Sequence, residues 1–127
     1  MQDKHLFEYA IIRVVPRVER EEFLNVGVIL YCRDLKFLKA LYTIDKDRLH
    51  ALCGNVDCDE VNDHLNSITK ICTGDASGGP IALLDLASRF RWLTATRSTV
   101  VQSSKVHPGF CTDANETLHK LFQQLVL

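Results

Sequence analysis

The chain of 127 residues lacks the features that mark several specialised classes of protein. Its 15 Lys and Arg are balanced by 16 Asp and Glu, and this lack of a basic excess argues against a general nucleic-acid binder. Its longest apolar run, residues 26–32, is far shorter than the roughly 20 residues that span a bilayer. The N-terminal segment lacks the apolar core of a secretory signal. We therefore expect a cytoplasmic protein that neither enters a membrane nor binds nucleic acid.

The five cysteines give neither a disulfide framework nor a standard zinc pattern. Their odd number, in a chain without a secretory signal, indicates reduced thiols. His50, Cys53, Cys58 and His64 are residue types that ligate zinc, but their spacing, H-x2-C-x4-C-x5-H, differs from common finger spacings. His107 precedes the fifth cysteine by four residues, and nothing in the sequence shows that the two side chains meet. We predict no metal, no cofactor and no catalytic cysteine, and we keep the zinc set as the alternative.

Apolar periodicity predicts a single α+β domain over residues 1–127. Period-2 alternation predicts three strands in an antiparallel meander and a fourth strand further along, over residues 7–15, 24–32, 37–44 and 98–102. Helical spacing predicts helices over residues 45–53, 57–72 and 114–126, and a short one within 81–91. The order of these elements favours a mostly antiparallel sheet of four or five strands with helices packed on one face. Residues 106–113 are expected to form a loop.

A few positions predict where elements begin, end or approach one another closely. Asp45 can cap the first helix, and Thr112 or Asp113 can cap the last one. Gly74 can end the helix over residues 57–72. Asn25 and Gly27, near the start of the second strand, indicate either special backbone geometry or a close approach of another part of the chain.

Two long blocks of the sequence resemble a known family. They are residues 9–30, YAIIRVVPRVEREEFLNVGVIL, and residues 89–107, RFRWLTATRSTVVQSSKVH, with CTGD…GPIA at 72–82 between them. Together they resemble bacterial domain-of-unknown-function family number three thousand and thirty-seven over nearly the whole chain. The resemblance implies a small cytosolic bacterial protein with no established activity, whose gene lies beside genes for kinases resembling the HipA toxin.

Residues that match the family's pattern occur in both blocks. They are Arg13, Pro16, Arg17, Glu19, Arg20, Glu22, Asn25 and Gly27 in the first, and Phe90, Trp92, Leu93, Arg97, Ser98, Thr99, Gln102 and His107 in the second. Thr96 stands where the resemblance leads us to expect Pro, and Pro108 stands where we expect a small hydroxyl residue. We therefore expect these two loops to differ in shape from those of the family.

Arginine residues are the main evidence in the sequence for a functional site. Arg13 lies in the middle of an apolar strand, where a charge needs a partner. Glu19 or Glu22 would complete a structural ion pair with it, whereas a bound phosphate or carboxylate would make it an anion site. Arg97 and the two hydroxyl residues after it offer a planar fork and further donors for such an anion, although a turn-forming Ser-Thr pair explains the same residues.

We hypothesise that these groups meet on one anion-binding surface. The residues assigned to it are Arg13, Arg17, Arg20, Glu22, Asn25, Arg97, Ser98, Thr99 and His107. Trp92, flanked by Arg89 and Arg91, is either a stacking platform or a half-buried core residue.

The function predicted from this surface is that of a non-enzymatic accessory protein. It would bind an anionic ligand or a protein partner, such as a HipA-like kinase, or a second copy of itself in a homodimer. The alternative is an enzyme acting on a phosphorylated small molecule or a nucleic acid, with the arginines stabilising developing charge.

Overall fold

A central antiparallel sheet organises the chain. The computed structural model describes residues 3–95, 97 and 99–127, and within them it contains five strands and four α-helices. The strands are β1 (His5–Val14), β2 (Leu24–Cys32), β3 (Phe37–Tyr42), β4 (Val101–Ser103) and β5 (His107–Cys111). The helices are α1 (Lys46–Leu52), α2 (Cys58–Thr73), α3 (Leu86–Leu93) and α4 (Ala114–Leu125). The predicted α+β class is confirmed. None of the described helices has the length and hydropathy needed to cross a bilayer.

Strand β1 lies in the middle of the sheet and pairs on both sides. Strand β2 runs along one side of it and β3 lies outside β2, which confirms the predicted meander. Strands β4 and β5 share the other side, where β4 pairs with the end of β1 and β5 with its beginning. Buried Ser104 joins these two pairings, because its hydroxyl accepts a hydrogen bond from the Ile11 N–H at 2.8 Å and its own N–H donates to the Ile11 carbonyl at 2.8 Å.

The prediction of a loop over residues 106–113 is wrong over its central part. Residues His107–Cys111 form β5, with Pro108 opposite Glu8 and Gly109 opposite Phe7. An edge strand tolerates proline because one side of its backbone needs no partner in the sheet. The fourth strand, predicted at 98–102, occupies Val101–Ser103.

Helices cover both faces of the sheet, so the prediction that they pack on one face is wrong for α4. Helices α1, α2 and α3 pack over Ala10, Ile12 and Val14 of β1. Helix α4 packs on the opposite face, where Leu118 lies with Phe7 and residues of β2. The physical reason is that β1 and β2 are apolar on both faces, and each apolar face must be kept from water.

A bulge near the start of β2 decides which way its side chains point. Ile12 pairs with Gly27 while Arg13 pairs with Asn25, which leaves Val26 as the extra residue. Because successive residues of a strand face opposite sides, Asn25 lies with Arg13 on the α4 face. Gly27 lies with Ile12 on the face covered by α1–α3.

Four aspartates set the helix starts. The carboxylates of Asp45, Asp57, Asp85 and Asp113 accept hydrogen bonds from backbone N–H groups in the first turns of α1, α2, α3 and α4. Asp85 interrupts the short helix predicted within residues 81–91, because a 3-10 turn over Pro80–Leu83 precedes it and α3 begins after it. Hydrogen bonds from Ser88 hold the pKa of Asp85 below its ordinary value.

Helix α2 ends where the sequence predicted. Gly74 adopts a φ of 76°, the left-handed conformation that favours glycine. Arg89 of α3 donates from Nη1 to the Ile71 carbonyl at 2.9 Å and the Cys72 carbonyl at 3.0 Å, so its positive charge lies against the negative end of the α2 dipole. Arg89 therefore joins α3 to α2 and does not belong to a surface around Trp92.

Candidate functional site

Arg97 lies against Trp92 just beyond the end of α3. Its Cζ is 4.0 Å from the centroid of the Trp92 ring, and its Nη2 donates a hydrogen bond to the Trp92 carbonyl. Trp92 is 41% exposed, so this pair lies at the surface of the molecule. Stacking on an aromatic face holds the plane of a guanidinium while its edge donors stay available to other groups.

The pair borders a cavity between α2, the end of α3 and β4. The cavity has a volume of about 180 Å³. Its apolar part is formed by Ile12, Ile68, Ile71, Leu93 and Val101. Its remaining lining, besides Trp92 and Arg97, comes from His64, Ser67, Ala95, Thr99, Gln102 and Ser103. No carboxylate is among these lining residues, so the charged group of the cavity is a cation.

Helical spacing brings one stripe of α2 to this cavity. His64, Ser67, Ile68 and Ile71 follow one another at intervals of three, one and three residues, which places them on one face of a helix. The apolar members of the stripe continue into the core, and the polar members stay at the exposed edge. Sequence reasoning assigned His64 only to the zinc alternative. The mixed polar and apolar stripe of α2 was the sequence signal that could have predicted that this helix face borders a cavity.

Short-range hydrogen bonds shape the chain just before β4. The Thr99 hydroxyl donates to the Val101 carbonyl at 2.6 Å, and Gln102 Nε2 donates to the Thr99 carbonyl at 2.8 Å. These bonds fix the turn that brings Thr99 and Gln102 to the cavity. Ser98, another predicted site residue, and Thr96 lie outside the described residues.

Arg13 and Asn25 lie on the other face of the sheet. Ile12 lines the cavity, and Arg13 is the next residue of β1. Because successive side chains of a strand point to opposite faces, the Arg13 side chain faces the α4 side. Its Cζ is 4.0 Å from the centroid of the Phe23 ring, and its buried Nε has no hydrogen-bond partner among the described residues. Asn25 Nδ2 donates to the Leu125 carbonyl at 3.3 Å, which ties β2 to the last turn of α4. The structure therefore does not bring Arg13 and Arg97 together.

The ion pair of Arg13 with Glu19 or Glu22, one of the two alternatives for this arginine, does not form. Glu19 lies 3.3 Å from Arg17 Nε, and Glu22 pairs with Arg20. Both pairs are exposed, so each contributes little to stability. Because a local carboxylate already neutralises Arg17 and Arg20, these two residues are weaker candidates for an anion site than Arg97.

His107 also lies away from the cavity. It is opposite Tyr9 across β1 and β5, with ring centroids 5.3 Å apart. This position is on the α4 face, with Arg13. The structure thus divides the predicted site residues between the two faces of the sheet. Arg97 and Thr99 line the cavity, whereas Arg13, Asn25 and His107 lie on the opposite face.

Comparison with known proteins identifies the family. The model of a family described as "Protein of unknown function (DUF3037)" matches residues 9–126.

The chain belongs to this family.

The DUF3037 match confirms the resemblance seen in residues 9–30 and 89–107, and the proximity of HipA-like kinase genes stays an implication of that resemblance. No curated protein and no solved structure matches the chain significantly.

The family-pattern residues of this DUF3037 chain have several structural roles. Trp92, Leu93, Arg97, Thr99 and Gln102 line the cavity. Others hold the fold, because Asn25 contacts the end of α4 and Phe90 is buried in the core on the α2 side. Most of the described residues that the resemblance assigns to the second block therefore line one cavity, whereas Phe90 and His107 lie elsewhere.

A second concavity in the DUF3037 structure is larger but has a mixed charge. It has a volume of about 700 Å³ and lies between the beginning of β1 and the start of α3. Its lining includes the carboxylates of Glu8, Asp34 and Asp85 together with Arg33 and Arg91. Cations that already face carboxylates offer less to an anionic ligand, so we take the cavity beside Arg97 as the candidate site.

The zinc alternative has little geometric support in this DUF3037 chain. His50 Nε2 lies 3.7 Å from Cys58 Sγ, but His64 lines the cavity on another part of α2. Among residues 3–95, 97 and 99–127 no group of three His, Cys, Asp or Glu side chains could hold a metal ion. A zinc site needs at least three protein ligands.

We expect the five thiols to divide into two reactive and three protected groups. All five are free, and Cys53 and Cys58 are partly exposed whereas Cys32, Cys72 and Cys111 are buried. Burial raises the pKa of Cys72 to about 12, and it also raises the pKa of Cys111. Because the thiolate is the reactive form, iodoacetamide at neutral pH should label only Cys53 and Cys58 rapidly, as read by peptide mass spectrometry.

The control for this labelling is the same reaction in concentrated urea, where all five cysteines should react at similar rates. Labelling of Cys72 in the folded protein as fast as Cys53 would contradict the packing of α2 against the sheet.

Proposed function

We propose that the protein is a non-enzymatic binding or accessory module that holds an anionic ligand in the cavity between α2 and β4. The observation that carries this proposal is the Arg97 guanidinium, stacked on Trp92 beside a cavity with no carboxylate in its lining. Arg97 has no carboxylate partner among the described residues and borders an apolar space. Such a cation favours an anion, since the apolar surroundings weaken competition from water.

The Arg97 guanidinium suits the recognition of a carboxylate or a phosphate. It presents five N–H donors in a fixed fork, and Arg97 gives one of its hydrogen bonds to the Trp92 carbonyl. The Thr99 and Ser103 hydroxyl groups donate to the Val101 and Ser104 carbonyls, and Gln102 Nε2 donates to the Thr99 carbonyl. The remaining N–H groups of Arg97 are therefore the main donors that the cavity offers to an anion.

The lining supports binding more than catalysis. His64 and Arg97 are its ionisable side chains, and it contains no cysteine and no carboxylate. General acid–base or nucleophilic catalysis commonly needs a base that is oriented by a third group, and His64 has no such carboxylate in the lining. The alternative of an enzyme acting on a phosphorylated small molecule or a nucleic acid therefore has less support.

The setting of this module is also part of the proposal. We place it in the bacterial cytoplasm, which is supported by five cysteines that are all free thiols. A HipA-like kinase is the protein partner that the family resemblance implies, and an acidic segment of such a partner would present the same anionic group to Arg97. A homodimer remains a further proposal.

We expect an Arg97→Gln variant to lose most of the affinity for simple anions. Inorganic phosphate, pyrophosphate and acetate serve as probes, and Trp92, the one tryptophan of the chain, reports binding through its fluorescence. Loss of a charge-assisted hydrogen bond of roughly 1.5–3 kcal/mol should weaken binding about tenfold or more. The melting temperature should change by only a few degrees, since Arg97 has no ion pair among the described residues.

The matched control for Arg97→Gln is Arg91→Gln. Arg91 is an exposed arginine of α3, and it does not line the cavity. Equal binding by the two variants would contradict the proposal. A large loss of stability in Arg97→Gln alone would show that Arg97 instead stabilises the end of α3.

A further inference from the structure

We propose that the ligand of the cavity is a small amphiphilic acid, with one ring-sized apolar body and one carboxylate or phosphate group. This inference rests on the proposed function, since it takes Arg97 as the group that binds the anion. It adds the chemistry and the size of the rest of the ligand, which Arg97 alone does not determine.

The volume of the cavity limits the apolar body to about one ring. The cavity measures about 180 Å³, and an engineered cavity of about 150 Å³ lined by apolar side chains binds benzene in another protein. A nucleotide or a folded peptide segment is too large to enter such a space. A single phenyl ring or a branched alkyl group of similar size fits it.

The walls of the cavity favour an apolar body over a polar one. Ile12, Ile71, Leu93 and Val101 contribute apolar side chains that belong to the core or are packed against it, as does Ile68. Water in contact with these walls finds few hydrogen-bond partners, so an apolar group should displace it favourably. The indole of Trp92 adds a flat wall, against which an aromatic ring can stack or pack edge to face.

The arrangement of charge gives the ligand a direction. Core residues form the inner part of the cavity, while Arg97, Thr99 and His64 are partly or fully exposed. An amphiphilic acid would therefore place its body inward and its anionic group outward, at Arg97. A polyanion would gain little more, because Arg97 is the one permanently charged cation among the described lining residues.

A set of four probes separates the two parts of this recognition. Phenylacetate carries both body and charge, phenylacetamide carries the body alone, and acetate carries the charge alone. Phenyl phosphate replaces the carboxylate by a phosphate. We expect phenylacetate or phenyl phosphate to bind at least about tenfold more tightly than acetate or phenylacetamide, because both the apolar burial and the charged contact contribute. Whichever of phenylacetate and phenyl phosphate binds more tightly shows whether the site prefers a carboxylate or a phosphate.

A cavity-filling variant tests where the body binds. Ser67 lines the cavity from α2 and its hydroxyl donates only to the Asp63 carbonyl of the same helix at 3.1 Å, so Ser67→Leu should fold normally while occupying part of the space. We expect Ser67→Leu to reduce the ratio of phenylacetate affinity to acetate affinity to about one, because the added side chain takes the place of the apolar body. Asn62→Leu, at an exposed position of α2 outside the cavity lining, is the control and should bind as the unmodified protein does.

The outcomes separate this inference from the proposed function. If acetate and phenylacetate bind equally and both depend on Arg97, the anion site stands and the amphiphilic ligand is wrong. If phenylacetamide binds as tightly as phenylacetate, the cavity binds the apolar body, and the proposed contact between an anionic group and Arg97 is wrong. If none of the four probes binds, both proposals fail.

Discussion

A Gly27→Ala variant is expected to lose about 3 kcal/mol of unfolding free energy, near the upper end of what overpacking a core costs. A Cβ at this position would lie 2.6 Å from the Leu41 carbonyl oxygen and 2.9 Å from the Tyr42 Cβ. It would also lie 3.3 Å from Ile12 Cδ1. The first two atoms belong to β3 or are attached directly to its backbone, so β3 would have to move away from β2. Urea unfolding followed by circular dichroism would measure the loss.

The matched control for this variant is Gly54→Ala. No heavy atom lies within 4 Å of a Cβ built at Gly54, and the residue has no positive φ. Its free energy of unfolding should therefore stay within about 0.5 kcal/mol of the original value. A Gly27→Ala protein as stable as Gly54→Ala would mean that β2 and β3 do not approach as closely as the structure places them.

The parts of the fold that the sequence predicted are those with a strong local period. Strand β2 has the predicted bounds, 24–32, and α2 begins and ends within one residue of the predicted 57–72. The close approach predicted at Gly27 is confirmed. Local periodicity and helix caps are properties of a few neighbouring residues, so a single sequence contains them.

The parts that sequence reasoning missed depend on partners far along the chain. Strand β5 contains Pro108 and Gly109, which read locally as a loop, and only pairing with β1 makes them a strand. Helix α4 has a clear apolar stripe, but the stripe does not say which face of a two-sided apolar sheet it will cover. Tertiary context decides both cases.

Sequence reasoning predicted only part of the candidate site, for a related reason. Arg97 and Thr99 line the cavity, but a strand alternates its faces, so Arg13 points away from the cavity that its neighbour Ile12 lines. Sequence spacing cannot show that residues from two blocks share a face. That assignment needs the pairing register of β1 with β4, which places Ile12 opposite Ser103.

The two separate cores lead to the second large effect. Leu65 of α2 and Leu118 of α4 are both fully buried, at 0% exposure, but they belong to clusters on opposite faces of the sheet. Replacing either leucine by alanine removes buried apolar surface and leaves a cavity, and this typically costs about 2–5 kcal/mol. We expect each single variant to melt far below the original protein. Leu83→Ala, at a leucine that is 71% exposed, is the control and should change stability by less than about 0.5 kcal/mol.

The double variant Leu65→Ala/Leu118→Ala distinguishes two cores from one. Mutations without shared partners usually add to within about 0.5 kcal/mol, whereas residues in contact show interaction energies of up to about 3 kcal/mol. Because the sheet separates these leucines, the losses in unfolding free energy should be additive. Because two such losses together can exceed the stability of the native fold, all the variants should be unfolded by urea in a stabilising salt such as sulfate, and their free energies of unfolding extrapolated to zero urea. A coupling well above about 1 kcal/mol would place α4 and α2 in one core, on one face of the sheet, and would contradict the architecture on which the cavity beside Arg97 depends.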